Sequence, residues 1–358
     1  MTLPYITPRK VFAHLDRLVG WQSGDKPAPV TVEFDLSNRC YLGCQSCHFA
    51  HTHTRGPWVK RDRFLPMAWE GTGDFADIVM VKRALGEMAA GGVRGVVWSG
   101  GGEPTTHPWW KDALSTGSTV GLRQGMYTAG GLITKASAVH MAQHLAWVVV
   151  SLDTVDAETY ASEKGVQSGW FDRACQGIRD LVAAGQPVVG VSFLLHQQNW
   201  SEADDMLALA RSLGATYTTF RPTIETHPDH PAICVGDRRW IEDALPLLDR
   251  LSHEPDVQVS TSRFEAYADW TDRGYDVCHG IKLHATVTPD GRVWVCVQRR
   301  GMVGSCVGDL RTESFAEIWQ RHPGQWTDFA ECRVMCRLHQ VNEQLDPVFA
   351  EMPHEAFV

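Results

Sequence analysis

No run of about eighteen apolar residues occurs in this chain, and the opening MTLPYITPRK lacks the apolar stretch of a secretory signal. Neither a membrane span nor an export leader is expected, so the expected location is cytoplasmic. Positive charge is in deficit: 33 Lys and Arg stand against 42 Asp and Glu, a net charge of −9. A broad non-specific grip on nucleic acid needs a basic footprint. Nucleic acid is therefore not an expected partner, although Lys60-Arg61-Asp62-Arg63 is a local basic strip. Internal repeats and low-complexity tracts are lacking too. With 44% apolar and 21% charged residues the composition is that of a globular enzyme, which excludes whole-chain disorder, collagen and coiled coil. At 358 residues the chain has room for one large domain or two moderate ones, and needs no disulfide merely to have a core.

What the chain does have is cysteine. Eight of its ten cysteines fall in two groups, within 40–47 and 278–336. In a cytosolic protein such grouping points to metal ligation or redox work rather than disulfides. Short β-branched runs alternate with amphipathic stretches from Val30 onward, the rhythm of βα units around a parallel sheet. Strands are expected at Val30–Leu36, Arg94–Trp98, Leu122–Tyr127, Trp147–Leu152, Pro187–Leu195 and Thr216–Phe220. Helices are expected at Asp77–Ala90, Ser168–Ala184 and Ser201–Leu213, the last with Ser201 as N-cap. Beyond Pro222 a helix is expected at Arg238–Leu251, then a hairpin turning at Pro289-Asp290-Gly291, and a capping box at Ser314 and Glu317.

Cys40-Tyr41-Leu42-Gly43-Cys44-Gln45-Ser46-Cys47 follows directly on the first expected strand. Three thiolates in eight residues can hold three corners of an iron–sulfur cluster and leave one iron open. Structural zinc and buried cysteines are the alternatives. Ser99-Gly100-Gly101-Gly102-Glu103-Pro104 follows the second strand, Met126-Tyr127-Thr128-Ala129-Gly130-Gly131 ends the third, and Ser151-Leu152-Asp153 ends the fourth. Together these motifs resemble the radical S-adenosylmethionine (SAM) superfamily over roughly residues 30–225. That resemblance implies that Cys40, Cys44 and Cys47 hold a SAM-binding 4Fe–4S cluster. It further implies SAM contacts from Gly101, Gly102, Glu103, Pro104, Thr128, Ser151 and Asp153. Phe49 is the aromatic candidate for the adenine, since Ser46 precedes the third cysteine, and Arg221 is a candidate for the SAM carboxylate. Independently, Cys40–Cys47, Glu103, Thr128, Asp153, His196 and Arg221 all come at the ends of six successive expected strands. In a parallel barrel those ends share the rim that carries chemistry.

The later cysteines look like the auxiliary-cluster domain of some members of that superfamily, the full form called SPASM and the shortened form twitch. Five cysteines are too few for two clusters of four ligands each. Cys278, Cys296, Cys332 and Cys336 are therefore expected to hold one auxiliary 4Fe–4S cluster, with structural zinc as the alternative, and Cys306 is left over. The expected fold is α/β: a partial (β/α)6 radical SAM barrel followed by a small α+β, twitch-like domain. The expected divisions are an extension at 1–29, the barrel at 30–225, a connector at 226–275, the auxiliary domain at 276–345 and a tail at 346–358.

Catalytic groups beyond the clusters are not specified; His51 and His53 in the loop after the first cysteines, and Cys306, are the candidates. His48 shares that loop. His107 and Cys175 read as structural, Cys234 as an inert loop thiol, and Trp58, Trp98 and Trp109 as residues near the mouth. The implied reaction is reductive cleavage of SAM to a 5′-deoxyadenosyl radical and hydrogen abstraction from an unactivated carbon. The auxiliary cluster transfers electrons, and an external flavodoxin- or ferredoxin-like protein is the reductant. The 29 residues before the first strand are too few for a peptide-grasping domain, so a small-molecule substrate is expected: a sugar, aminocyclitol or nucleoside-linked group. The alternatives are modification of a peptide or of a modified DNA base, and a non-catalytic two-cluster electron-transfer protein.

Overall fold

The computed structural model describes residues 7–44, 47, 74–223, 239–268, 273–302, 304–329, 332 and 336–350. A 3-10 turn at Pro8–His14 leads into α1 (Leu15–Gln22). Then come β1 (Thr31–Asp35), α2 (Ile78–Ala90), β2 (Gly95–Ser99), α3 (Trp110–Thr119), β3 (Arg123–Thr128) and α4 (Lys135–His144). They are followed by β4 (Trp147–Ser151), α5 (Ala157–Lys164), α6 (Gly169–Ala183), β5 (Val189–Leu195), α7 (Ala203–Ser212) and β6 (Tyr217–Pro222). All six expected strands are present. The N-cap of the fifth-unit helix differs: Ser201 lies inside a 3-10 turn, Trp200–Glu202, and α7 starts at Ala203.

These six strands run parallel in chain order, each paired with the next. Alternation sorts their side chains. Val32, Phe34, Val96, Trp98, Met126, Val148, Val150, Val191, Phe193 and Phe220 face the helices and form the main core. Their neighbours in sequence face the bore of the barrel. Trp98 is thus a core residue and not a mouth residue. It is fully buried against Phe34, with its indole N–H on the Gln124 carbonyl oxygen at 2.9 Å.

The sheet extends at both edges. After α8 (Arg239–Ser252), a short β7 (Val257–Val259) pairs parallel with β6 and leads into α9 (Thr261–Ala268). On the other edge, β8 (His284–Val287) pairs parallel with β1. It then turns antiparallel into β9 (Arg292–Trp294) and β10 (Cys306–Asp309). Gly291 makes the expected hairpin turn at φ +85°, a conformation open to glycine and costly for a side chain. The capping box at Ser314 and Glu317 opens α10 (Phe315–Gln320), and α11 (His339–Phe349) closes the described chain. The cysteine-bearing C-terminal region is therefore sewn onto the barrel as three strands of one ten-stranded sheet. The first residues also clamp this region: Val11 and Leu18 pack with Leu283 and Leu345, and the Trp21 indole donates to the Lys282 carbonyl at 3.2 Å.

On its bore-facing side β1 carries two carboxylates, Glu33 and Asp35, both essentially unexposed. Each meets an arginine from the C-terminal region. Asp35 pairs with Arg300, also fully buried, and Glu33 pairs with Arg337 at 2.5 Å. Burial alone drives the Glu33 carboxyl upward, but the Arg337 and Arg300 guanidiniums outweigh it and leave its pKa below the ordinary value. Removing one partner of such a pair strands a charge in a dry site. Asp35→Ala should cost about 3–5 kcal/mol in denaturant unfolding. The double variant Asp35→Leu with Arg300→Met should recover most of that loss. Equal stability of wild type and Asp35→Ala would show that the pair holds nothing.

Candidate active site

The loop after β1 is tied down at three places by its backbone or by a ring. Gly102 N–H donates to the Ser37 carbonyl at 2.9 Å, and Glu103 N–H to the Arg39 carbonyl at 2.9 Å. The turn after β2 is thus laid along the residues that lead into Cys40. Gly102 is required by this closeness: a Cβ there would overlap the Arg39 carbonyl. Next, Tyr41 stacks on Trp170 of α6 with ring centroids 4.4 Å apart, and its hydroxyl accepts from Gly131 N–H at 3.0 Å. Finally, Gly43 N–H donates to the carbonyl of Lys164, the last residue of α5, at 2.7 Å. Cys40, Cys44 and Cys47 hang from this loop, and Cys47 N–H donates to the Cys44 carbonyl at 3.3 Å.

Burial pushes the Cys40 thiol well up and the Cys44 thiol up to about 12, even with the Lys164 ammonium acting on Cys44 in the other direction. Left alone such thiols stay protonated. Iron in a cluster is the kind of strong local cation that turns them into thiolates. Among the described residues no three His, Cys, Asp or Glu side chains converge on one point as ligands of a single metal ion. Three thiols spaced along a pinned loop fit the corners of a cluster better than a mononuclear zinc site.

The residues expected to touch SAM are gathered at one rim but are more engaged with each other than the motifs suggested. Glu103 is 3% exposed. Its Oε1 accepts from Thr105 N–H at 3.2 Å, Thr105 hydroxyl at 2.5 Å and Thr128 hydroxyl at 2.7 Å. Among the described residues its Oε2 accepts from Ala129 N–H alone, at 2.7 Å, and so keeps capacity for a ligand ammonium. Burial raises the Glu103 pKa, with the Thr105, Ala129 and Thr128 donors opposing. Thr128 therefore orients Glu103. Pro104 is buried and opens a 3-10 turn, Pro104–Thr106; Gly101 is buried just before it.

Asp153 differs most from expectation. Its Oδ2 pairs with the buried Lys164 ammonium, and its Oδ1 accepts from Leu194 N–H at 2.8 Å. Both carboxylate oxygens are thus committed within the chain. The residue also holds φ at +69°, a strained value for a side-chain-bearing residue. Ser151 closes β4 opposite Ser192 of β5. Arg221, on β6, donates to the Ser192 hydroxyl at 2.6 Å. His196 sits after β5 with Nε2 at 3.1 Å from Glu163. Of the other singled-out residues, His107 is structural, its ring bonded to the Ala76 carbonyl at 2.8 Å, Cys175 is core, and Trp109 is exposed. Phe49, His48, His51, His53, Trp58, the strip 60–63 and Cys234 lie outside the described residues. The sequence motifs did not mark Tyr41 or Lys164 as supports of the cysteine loop; Tyr41 lies inside the cysteine motif, and Lys164 lies in Glu163-Lys164-Gly165, where the superfamily resemblance places an Arg-Gly.

In the C-terminal region Cys278, Cys296, Cys332 and Cys336 line one small pocket. Each thiol faces the others across it, and burial raises Cys278 and Cys296 and pushes Cys336 up to about 11. The sulfurs already have N–H donors: Asn342 to Cys278 at 3.2 Å, Leu338 backbone to Cys336 at 3.3 Å and Arg299 to Cys332 at 3.6 Å. Such bonds raise the potential of a bound cluster. Four thiols around a space, not a point, again fit an iron–sulfur cluster. Cys306 does not line the cavity; it is exposed on β10, its thiol on the Gly308 carbonyl at 3.4 Å.

A parallel barrel with a cysteine loop after its first strand, joined to a second cysteine cavity, defines the class. Residues 35–210 match the radical SAM superfamily, and residues 278–340 match the SPASM iron–sulfur cluster-binding domain. The chain is 34% identical over 309 residues to the mycofactocin maturase MftC of Mycobacterium tuberculosis, covering 82% of this chain and 71% of that one. It is 24% identical over 307 residues to the PqqA peptide cyclase of Gluconobacter oxydans, covering 82% and 77%. Among solved structures, Streptococcus suis SuiB bound to S-adenosylmethionine has the same fold, with a TM-score of 0.65 at 15% identity over 90% of this chain and 73% of that one.

The chain belongs to the radical SAM superfamily, in the branch with a C-terminal SPASM domain. It is an enzyme that uses SAM, a SAM-binding 4Fe–4S cluster and auxiliary iron–sulfur. The non-catalytic electron-carrier alternative falls with that assignment. The expected small polar substrate is also overturned. Relatives aligned over 82% of this chain are a peptide cyclase and a maturase, not enzymes of sugars or aminocyclitols. No helix among the described residues is long and apolar enough to cross a membrane.

Gly102→Ala should force the Arg39 carbonyl away and disorder the Cys40 loop while sparing the distant cysteine cavity. Reconstituted protein should then fall from about eight to about four iron atoms per chain, with near-native thermal unfolding. Retention of full iron would show that the loop tolerates the displacement.

Proposed function

We propose that this protein is a radical SAM peptide-modifying enzyme, acting in the cytoplasm with an external one-electron donor. The observation that carries it is the match to MftC and to PqqA peptide cyclase over more than 300 aligned residues and 82% of this chain. In this reading Cys40, Cys44 and Cys47 hold the SAM-binding cluster, and Cys278, Cys296, Cys332 and Cys336 hold one auxiliary 4Fe–4S cluster. When bound, the first cluster and SAM would supply one-electron reductive cleavage of SAM and hydrogen-abstracting radical chemistry at a carbon of the peptide.

The chain's own residues do the positioning. Glu103, fixed by Thr105, Thr128 and Ala129, offers Oε2 to the methionine ammonium, beside the Gly101-Gly102 turn. Asp153, locked by Lys164, shapes the end of β4 so that Ser151 faces the bore. The wall of ten strands excludes water from the radical's path. The Arg299 and Asn342 donors tune the auxiliary site for accepting an electron.

Anaerobic reconstitution, reduction and addition of SAM should release 5′-deoxyadenosine from wild type and not from a Cys40→Ala, Cys44→Ala, Cys47→Ala triple variant. Co-expression with short open reading frames flanking its gene should give one peptide of altered mass, absent with the triple variant. Release accelerated by a small polar metabolite and by no such peptide would sink the peptide reading.

A further inference from the structure

The bore of the barrel is not charge-balanced. Two carboxylates, Glu33 and Asp35, are taken by Arg337 and Arg300. Two further arginines face the same space. Arg221 projects from the inner side of β6, and Arg263 from the first turn of α9, which packs on β6. Neither guanidinium has a carboxylate partner among the described residues. Arg221 is bonded to an uncharged hydroxyl, Ser192 Oγ, and its Nε is buried with no hydrogen-bond partner. Burial first, then the positive charges of Arg221 and Arg337, press Arg263 down to about 10.

A second observation lies along the strand. Thr219, Arg221 and Thr223 are alternate residues and so share the bore-facing side of β6. All three carry a buried polar atom without a hydrogen-bond partner: Thr219 Oγ1, Arg221 Nε and Thr223 Oγ1. The two threonines are only 2% and 3% exposed. Buried polar groups left unpaired cost about 1–3 kcal/mol each, and three in a row on one strand mark a place made for a polar guest. The surrounding like charges say that this guest is an anion. Its place is at the rim end of the barrel, near Cys336, whose thiol acts electrostatically on Arg263.

We propose that Arg221, Arg263 and the Thr219 and Thr223 hydroxyls form a carboxylate-binding site for the peptide substrate, holding it in the bore between the two cysteine regions. The site rests on the peptide reading above and adds that the peptide is recognised through an acidic group, on a side chain or at its C-terminus. Two guanidiniums offer the paired N–H geometry that a carboxylate accepts. An uncharged isostere loses this and leaves both charges unmatched.

The test uses reconstituted holoenzyme saturated with SAM and three probes measured by calorimetry: acetyl-Gly-Glu-Gly-amide, acetyl-Gly-Gln-Gly-amide and acetyl-Gly-Gly-Gly with a free terminus. The wild type should bind one carboxylate probe about tenfold or more tighter than the Gln probe, and which one tells side chain from terminus. Arg263→Gln should erase the preference, Arg263→Lys should restore part of it, and Thr219→Val, isosteric and fold-preserving, should reduce it. Equal affinity for Glu, Gln and terminal-carboxylate probes overturns the site while leaving the peptide reading standing. No binding of any probe overturns the site, and the peptide reading then stands or falls on the mass change of the co-expressed peptide. A preference that survives Arg263→Gln, or a loss of SAM affinity in that variant, overturns the proposal; the latter assigns the guanidiniums to the SAM carboxylate.

Discussion

Two ion pairs on one strand, one fully buried and one half-buried, organise this molecule. Asp35 and Glu33 sit on the bore side of β1, and their partners, Arg300 and Arg337, come from the far end of the chain. Arg300 lies four residues after Cys296 and Arg337 directly follows Cys336, so each pair anchors a cysteine of the C-terminal cavity to β1. The loop that leaves the other end of β1 carries Cys40, Cys44 and Cys47. One five-residue strand thereby sets the position of both cysteine sites. Arg300 goes further and reaches the Gly100 carbonyl at 3.3 Å, touching the turn that supports Cys40. Burying the Asp35, Arg300 and Glu33 charges is costly, and a hydrophobic contact could be at least as stable. What a charge pair adds is register: each arginine matches one carboxylate, and a slip of the domain would leave all of them unpaired.

The rim follows the same logic of polar groups held by polar groups. Glu103 is surrounded by donors from two successive turns, and Asp153 is locked by Lys164 in a strained backbone conformation. These carboxylates are held still before any ligand arrives, so binding need not order them. Elsewhere around the bore some buried polar atoms stay unpaired: Thr219 Oγ1, Arg221 Nε and Thr223 Oγ1 on the β6 side, and Glu33 Oε1 and Asp35 Oδ1 on β1.

The substrate expectation went wrong for a physical reason. A short N-terminal segment was read as the absence of peptide-holding structure, but the described part of that segment packs on the C-terminal region through Val11, Leu18 and Trp21. Its length therefore carries no information about what the bore accepts.

Chemistry and fold class were legible in the residues themselves. Cysteine spacing is a local property, and so are the alternation of β-branched runs with amphipathic helices, the Pro289-Asp290-Gly291 turn and the Ser314 capping box. Each depends on neighbours within a few positions, and each appears as read. The C-terminal strands on the free edge of β1, the short β7 on the edge of β6, and the pairings of Asp35, Glu33 and Asp153 were decided by tertiary structure alone. Their partners lie 265, 304 and 11 residues away. Even the nearest of these, Lys164, reaches Asp153 only because the turn after β4 brings α5 back over it. A sequence shows that a group can be charged; which charge it will meet when water is excluded is a property of the packed chain.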